Sequence, residues 1–191
     1  MIAGLVLAAG AGTRFGDEPK QLADLHGRPL LEWAVAAQSA VPALERIVVV
    51  LGAHAEEIMA RADLMDAEPV VCSDWERGQA ASLRCGLSAL GPGVRKVIVT
   101  LGDAPLITPQ VVAMFVDHPP RSRAVYGGRP GHPVVLGRTQ IAAAADLTGD
   151  RGAGSLLKGG REVEAGHLCS GRDVDTPEDL EAIRDEARAV I

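Results

Sequence analysis

Short runs of β-branched or aliphatic residues recur along the first half of the chain, at Ile2 to Ala8, Arg46 to Leu51, Pro69 to Cys72 and Lys96 to Leu101. Each run is followed by a turn signal and then by a stretch with apolar residues at helical spacing. These stretches are Leu30 to Ala40, His54 to Leu64, Gln79 to Leu90 and Gln110 to Val116. Brief, uniformly apolar runs predict strands buried on both faces, and their alternation with helices predicts a largely parallel sheet. The pattern therefore implies an α/β fold, a three-layer sandwich in which each helix covers one face of a mostly parallel central sheet.

The second half is less regular. Ala124 to Gly127 and Pro133 to Leu136 read as short strands around a Gly-Gly-Arg-Pro-Gly turn, with a helix from Gln140 to Asp146 after them. A short helix at Gly154 to Lys158, a strand near Glu162 to His167 and a last helix entered at Thr176 complete the pattern. Thr176, Pro177 and Asp179 supply a cap hydroxyl, a first-turn proline and a carboxylate near the positive end of the helix dipole. No repeat, low-complexity stretch or linker marks a domain boundary, and 191 residues suit one core, so a single domain over 1–191 is expected.

Composition narrows the possible functions. A hydrophobic fraction of 47% predicts an ordered globule. The formal charge of −6 offers no general basic field for a nucleic-acid backbone, and aromatic residues at 3% leave almost no stacking platform for single strands. The apolar run at the amino terminus is too short to span a bilayer and has no basic leader, so neither a membrane nor a nucleic acid is expected as partner. Cys72, Cys85 and Cys169 are spaced for neither a disulfide framework nor a compact zinc site, and read as reduced thiols of a cytoplasmic protein.

The chemistry concentrates where strands end. Leu7-Ala8-Ala9-Gly10-Ala11-Gly12-Thr13-Arg14-Phe15-Gly16 leaves the first strand at the edge where open α/β sheets place ligands. Gly10 and Gly12 let backbone amides approach a phosphate closely, and Arg14 and Lys20 can neutralise a triphosphate. Phe15 stands where a dinucleotide-binding loop has its third glycine, and no Gly-Lys-Ser/Thr closes the segment as in a P-loop, so both of those motifs fail. Asp103 follows the strand Lys96 to Leu101 and sits at its carboxyl end, a good position for a magnesium ligand, since magnesium takes one or two carboxylates with phosphate oxygens and water. Asp173 and Asp175 alternate, so an extended segment would point both to one side, and either can be a second carboxylate.

LAAGAGTRFG followed by PKQL resembles the signature of the nucleotidyltransferases that include the molybdenum cofactor cytidylyl- and guanylyltransferases. The broader group contains sugar and isoprenoid cytidylyltransferases. The resemblance implies a nucleotide-diphospho-sugar transferase (Rossmann-like) fold and a loop, Leu7, Ala8, Ala9, Gly10, Gly12 and Thr13, wrapped around the triphosphate, with Arg14 and Lys20 on its phosphates. It makes Asp103 of Gly-Asp-Ala-Pro a ligand of Mg2+, and favours Asp175 of Asp-Val-Asp-Thr-Pro-Glu-Asp-Leu as a further metal or substrate contact. Asp74-Trp75 with Ser82-Leu83-Arg84, Gly131-His132-Pro133 and Gly149-Asp150-Arg151-Gly152-Ala153 resemble the molybdenum cofactor cytidylyltransferase branch. They suggest Asp74 and Ser82 as nucleotide contacts and His132 as an acceptor contact.

Leu7-Ala8-Ala9-Gly10 reads as the cytidylyl rather than the guanylyl form. The implied ligands are CTP and molybdopterin, and the product would pass to a molybdenum enzyme. Cys72, Ala81 and Ala104 depart from the family pattern, on the acceptor side more than the triphosphate side. Pigment-reducing oxidoreductases of nicotine breakdown resemble the same family, and a non-catalytic protein that carries molybdenum cofactor or nucleotide is the third reading. Arg14, Lys20 and Asp103 occurring together speak for catalysis, because binding alone needs no metal carboxylate.

Overall fold

The structure, a computed structural model, describes residues 1–16 and 18–190. Strand β1 (Ile2–Ala8) leads through the glycine-rich loop to a two-stranded hairpin, β2 (Asp24–Leu25) and β3 (Arg28–Pro29), and then to helix α1 (Leu30–Ser39). There follow β4 (Arg46–Leu51), α2 (Ala55–Arg61), β5 (Glu68–Val71), α3 (Gln79–Leu90), β6 (Lys96–Leu101) and α4 (Pro109–Met114). The remainder is β7 (Ser122–Tyr126), β8 (Arg129–Gly137), α5 (Arg138–Ala143), β9 (Arg161–Glu164) and α6 (Pro177–Val190), with short 3-10 turns between.

The 7-stranded sheet has the order β5-β4-β1-β6-β8-β7-β9. The strands β5, β4, β1 and β6 run parallel, β8 is antiparallel to β6 and β7, and β9 lies parallel to β7. Because successive side chains of a strand point to opposite faces, each central strand feeds two cores. Val6, Val49, Leu51 and Ile98 pack on one side with α1, α4 and α6, whereas Leu5, Val48, Val50 and Val99 pack on the other with α3. The single α/β domain is thus the three-layer sandwich that the alternating pattern predicts.

The chain moves outward from β1 through β4 to β5, then crosses back to place β6 on the other side of β1. The strand order therefore reverses between β1 and β6, and a crevice opens at the carboxyl ends of those strands, where ligands bind in open α/β sheets. Both chemical segments start there, the glycine-rich loop after Ala8 and Asp103 after Leu101.

Two local differences from the sequence reading have clear causes. The turn between β7 and β8 is only Gly127-Gly128, because both residues take positive φ (58° and 77°), the geometry of a tight hairpin turn. Arg129 is then free to pair with Tyr126, and β8 begins at Arg129, four residues before the expected Pro133. The small hairpin β2–β3 is too short to leave a periodic signal. At the last helix, Thr176 Oγ1 accepts from the Asp179 amide at 3.2 Å while Asp179 Oδ2 accepts from the Thr176 amide at 2.9 Å, a reciprocal cap. Cys72, Cys85 and Cys169 are free thiols, and no helix among the described residues is long and apolar enough to cross a membrane.

Candidate active site

The glycine-rich loop is held from below by Gln21, a buried amide whose Nε2 donates to the carbonyls of Ala8 (3.0 Å) and Gly10 (2.9 Å). Gly12 takes φ of 63° and a Cβ there would stand 3.2 Å from Lys20 Cβ, so only glycine lets the loop fold over the lysine. Lys20, just 7% exposed, sits in the 3-10 turn after the loop. Its ammonium donates to Asp103 Oδ2 at 2.7 Å and to Asp175 Oδ1 at 2.9 Å. Arg14 Nη2 donates to the other oxygen of Asp175 at 2.8 Å. Arg14, Asp175, Lys20 and Asp103 thus form one continuous chain of charge.

Asp175 reaches the cluster because the amide of Val174 donates to the carbonyl of Asp103 at 2.8 Å. That bond straps the segment before α6 across the end of β6. Val174 is buried, and its neighbours Asp173 and Asp175 both line the crevice, as an extended segment requires. Burial would lower the Lys20 pKa, but Asp103 and Asp175 together raise it, so the ammonium keeps its proton. Burial raises the Asp103 carboxyl despite Lys20. Asp175 also pays for desolvation, yet Lys20 and Arg14 hold it below the usual carboxylate range.

Two clefts meet at this cluster. The first, about 440 Å³, is lined by Leu7, Ala9, Gly10 and Arg14 on the loop side and by Trp75, Gln79, Ser82 and Asp150 on the opposite wall, with Asp103, Asp173 and Asp175 at the junction. The amino terminus of α3, which has no side-chain cap, contributes Gly78 and Gln79 to that wall and so brings the positive end of its dipole to the cleft, although the Ala80 amide donates to the Gly149 carbonyl at 3.0 Å and the Ala81 amide to the Gly78 carbonyl at 3.1 Å. The second cleft, about 280 Å³, is lined by Tyr126, Arg129, Gly131 and Arg172, and shares Asp173 and Asp175 with the first. A smaller recess of about 80 Å³ under the loop contains Ala8, Gly12, Lys20 and Asp103.

Most of the residues singled out from the sequence converge here, but three do not. Thr13 is exposed on the turn and lines neither cleft. Asp74 points away, accepting from Arg77 at 3.3 Å, and its place in the wall is taken by Trp75. His132 also lines neither cleft, although its carbonyl accepts from the Tyr126 hydroxyl at 2.6 Å and so fixes the floor of the second one. Gln21 and Gln79 were missed, the first although it stands inside PKQL, because polar residues carry no periodic signal of burial.

The half-buried His132 provides a pH test of this geometry. Burial first, and the nearby Arg123 guanidinium second, lower its pKa to about 4. The unfolded chain titrates near 6.5, so between those values it binds a proton that the native state does not. Native stability therefore falls as pH drops through that window. His132→Gln should show a shallower loss of Tm between about pH 7 and 4.5 than the wild type. An unchanged slope would mean that the imidazole is solvated.

The fit of a divalent cation rests on Asp103. Its Oδ1 is buried with no hydrogen-bond partner, an uncompensated lone pair beside a carboxylate already bridged to Asp175 by one ammonium. No group of three or more His, Cys, Asp or Glu is gathered around a cation-sized space among the described residues. Magnesium takes one or two carboxylates and completes its shell with substrate oxygens and water, a use that Asp103 with Asp175 would suit.

Comparison with known proteins is decisive for the family. Residues 4–165 match the MobA-like NTP transferase domain. The chain belongs to that family. It is 34% identical to nicotine blue oxidoreductase of Paenarthrobacter nicotinovorans, with 94% of each chain covered. It is 32% identical to the bifunctional protein GlmU of Cutibacterium acnes, but spans only 36% of that protein's length.

Among solved structures, a nucleotidyl transferase from Methanothermobacter thermautotroptrophicus superposes with a TM-score of 0.81 at 25% identity over 100% of this chain and 99% of that one. Rv0371C of Mycobacterium tuberculosis, in complex with manganese, gives 0.80 at 28% identity, covering 96% and 98%. Family and neighbours make this protein a nucleotidyltransferase of the nucleotide-diphospho-sugar transferase fold. The oxidoreductase relative is similar in sequence, and its name describes that protein.

Proposed function

We propose that this protein is a magnesium-dependent, cytoplasmic cytidylyltransferase that moves CMP from CTP to the terminal phosphate of molybdopterin and releases pyrophosphate. The single observation that carries the reading is the charge chain Arg14–Asp175–Lys20–Asp103 at the junction of two clefts. One cleft opens onto the glycine-rich loop and suits a nucleoside triphosphate. The other presents Arg129 and Arg172 beside Asp173, Asp175 and Asp179, and with a cation offsetting those carboxylates it would suit an anionic acceptor, whose phosphate would meet the triphosphate beside Asp103 and Asp175. His132 serves the acceptor side through its carbonyl and Tyr126.

In this reading an acceptor phosphate oxygen attacks the α-phosphorus in line with departing pyrophosphate. The acceptor is already an anion, so no serine or cysteine nucleophile is needed, and the chain supplies position and positive charge. Arg14 offers a planar fork to the phosphates and Lys20 a point charge. Loop amides at Gly10 to Gly12 orient the triphosphate, while Ser82 and the α3 terminus border the nucleoside. Asp103 with Asp175, or Asp173, would hold magnesium, which when bound would counter the charge on the phosphates. The manganese complex of Rv0371C supports divalent-cation use at such a site. A molybdenum enzyme is the natural recipient of the product.

The test is to incubate protein, magnesium and molybdopterin with each nucleoside triphosphate and to identify products by mass. CMP-modified molybdopterin with stoichiometric pyrophosphate is expected from CTP. Pyrophosphate formation only with a sugar phosphate would move the acceptor assignment elsewhere. Oxidation of a nicotinamide cofactor would favour the oxidoreductase relative, and tight binding without turnover a carrier.

Base choice rests on Ala9, which is buried and lines the first cleft. Its methyl group occupies space that the second ring of a purine would need. The expected outcome is that the wild type prefers CTP to GTP in kcat/KM and that Ala9→Gly loses part of that preference. About tenfold is reasonable for a methylene-sized change in a pocket. A wild-type preference for GTP would overturn the cytidylyl assignment alone.

A further inference from the structure

A third cleft, about 420 Å³, lies at the opposite end of β7 from the acceptor cleft, between the amino ends of β7 and β9 and the preceding loop. Arg121, Arg123, Lys158 and Arg161 line it, and Glu162 is the only acid among its lining residues. This concentration of positive charge occurs in a chain of formal net charge −6. Several arginines elsewhere pair with carboxylates, as at Arg46–Glu68, Arg61–Glu57 and Arg184–Glu181, while others such as Arg84 and Arg138 stand outside this cleft rather than converging on it. Among the described residues, none of the four cations of this cleft has a carboxylate within 4.0 Å.

Two further features set the cluster apart from an ordinary solvated face. Arg123 is half-buried, and its Nε is buried without a hydrogen-bond partner, so this guanidinium is desolvated along one edge with no protein group to compensate it. Arg121 holds φ of 69°, a left-handed conformation that side chains other than glycine, asparagine and aspartate rarely adopt. It is fixed there by its amide donating to the Val135 carbonyl at 2.8 Å and its carbonyl accepting from the Arg161 amide at 3.0 Å. Such strain persists where surrounding contacts impose it, and it collects at binding sites. Here it places Arg121 in the same cleft as Arg123 and Arg161.

We propose that this cleft is a second anion site, separate from the catalytic crevice, which binds a small phosphorylated molecule. Guanidinium groups recognise phosphate through paired donors, and several converging on one cavity favour a ligand with more than one anionic oxygen. The volume is that of a small-molecule site. The negative charge of the whole chain disfavours an extended nucleic-acid backbone, whose binding needs basic surface well beyond one pocket.

Inorganic pyrophosphate is the test ligand, titrated calorimetrically into Lys20→Ala, whose catalytic recess has lost its buried ammonium. The same titration is made after adding Lys158→Glu and Arg161→Glu, both exposed positions where charge reversal leaves the core intact. Tm for each variant controls for folding. Pyrophosphate is expected to bind the Lys20→Ala protein, to weaken at least tenfold with the two reversals, and to protect amides of residues 154–161 from hydrogen exchange. An affinity unchanged by the reversals, or protection confined to residues 9–16, would overturn the proposal. So would binding of a single-stranded RNA oligonucleotide that the reversals abolish while pyrophosphate fails to bind. The result is independent of the reading of the catalytic crevice, since nucleotidyl transfer can fail or succeed without it.

Discussion

Asp103→Asn is expected to lower kcat for pyrophosphate release by about a thousandfold or more while leaving Tm within a few degrees of the wild type. The substitution keeps side-chain volume and removes one negative charge. In the free protein the cost is small, because Lys20 retains Asp175 and an amide oxygen can still accept from the ammonium. In the reacting complex the cost is large. In the proposed reading Asp103 would hold the divalent cation, its Oδ1 having no hydrogen-bond partner in the protein, and an amide is a poor ligand for a hard cation. Loss of one preorganised electrostatic group typically costs about 10² to 10³ in rate, and misplacing the cation affects attacking and leaving oxygens together. Initial-rate assays across a magnesium series, with circular dichroism as a fold control, test this. Wild-type turnover in the variant would remove Asp103 from the chemistry.

That the crevice could be anticipated at all follows from where the informative residues stand. Buried strands write themselves as apolar runs, and β1 and β6 both end abruptly, one in Ala9-Gly10 and the other in Gly102-Asp103. Their adjacency needs only the strand reversal common to open α/β sheets. The convergence of Asp175 is different, because a residue 155 positions from Lys20 reaches it through one backbone bond from Val174 to Asp103, which no local pattern announces. Polar groups were the least legible. Gln38 is fully buried on α1 and donates to Thr100 Oγ1 at 2.8 Å and the Ile98 carbonyl at 3.2 Å, yet in sequence it resembles the polar edge of an amphipathic helix. Trp75 lines the crevice where Asp74 was expected, since the 3-10 turn of Trp75–Arg77 directs adjacent side chains differently from a strand or helix. Propensity locates such a turn without orienting its side chains.

The same charge chain makes Lys20→Ala the more revealing variant, because it should couple stability to metal. Removing the ammonium leaves Asp103 and Asp175 facing each other in a poorly solvated recess, with only Arg14 still paired to Asp175. Breaking a buried pair by deleting one partner costs about 3 to 5 kcal/mol when the remaining charge is fully enclosed. Here the two carboxylates keep 22% and 32% of their side-chain surface exposed, so solvent screens part of that repulsion. A loss of about 2 kcal/mol is the expectation, or roughly 4 to 8 °C in Tm for a domain of this size. A divalent cation can occupy the space between the carboxylates that the ammonium fills in the wild type.

Millimolar magnesium or manganese should therefore restore most of the lost Tm in Lys20→Ala, while raising the wild-type Tm much less. Turnover should not recover with it, since the positive charge on the triphosphate is still missing, and kcat/KM for the nucleotide should remain about a hundredfold down. Thermal melts with and without chelator, run beside steady-state kinetics, separate the two effects. A Tm that falls and ignores metal would show that Asp103 and Asp175 do not form a cation site, even if the lysine proves essential for transfer.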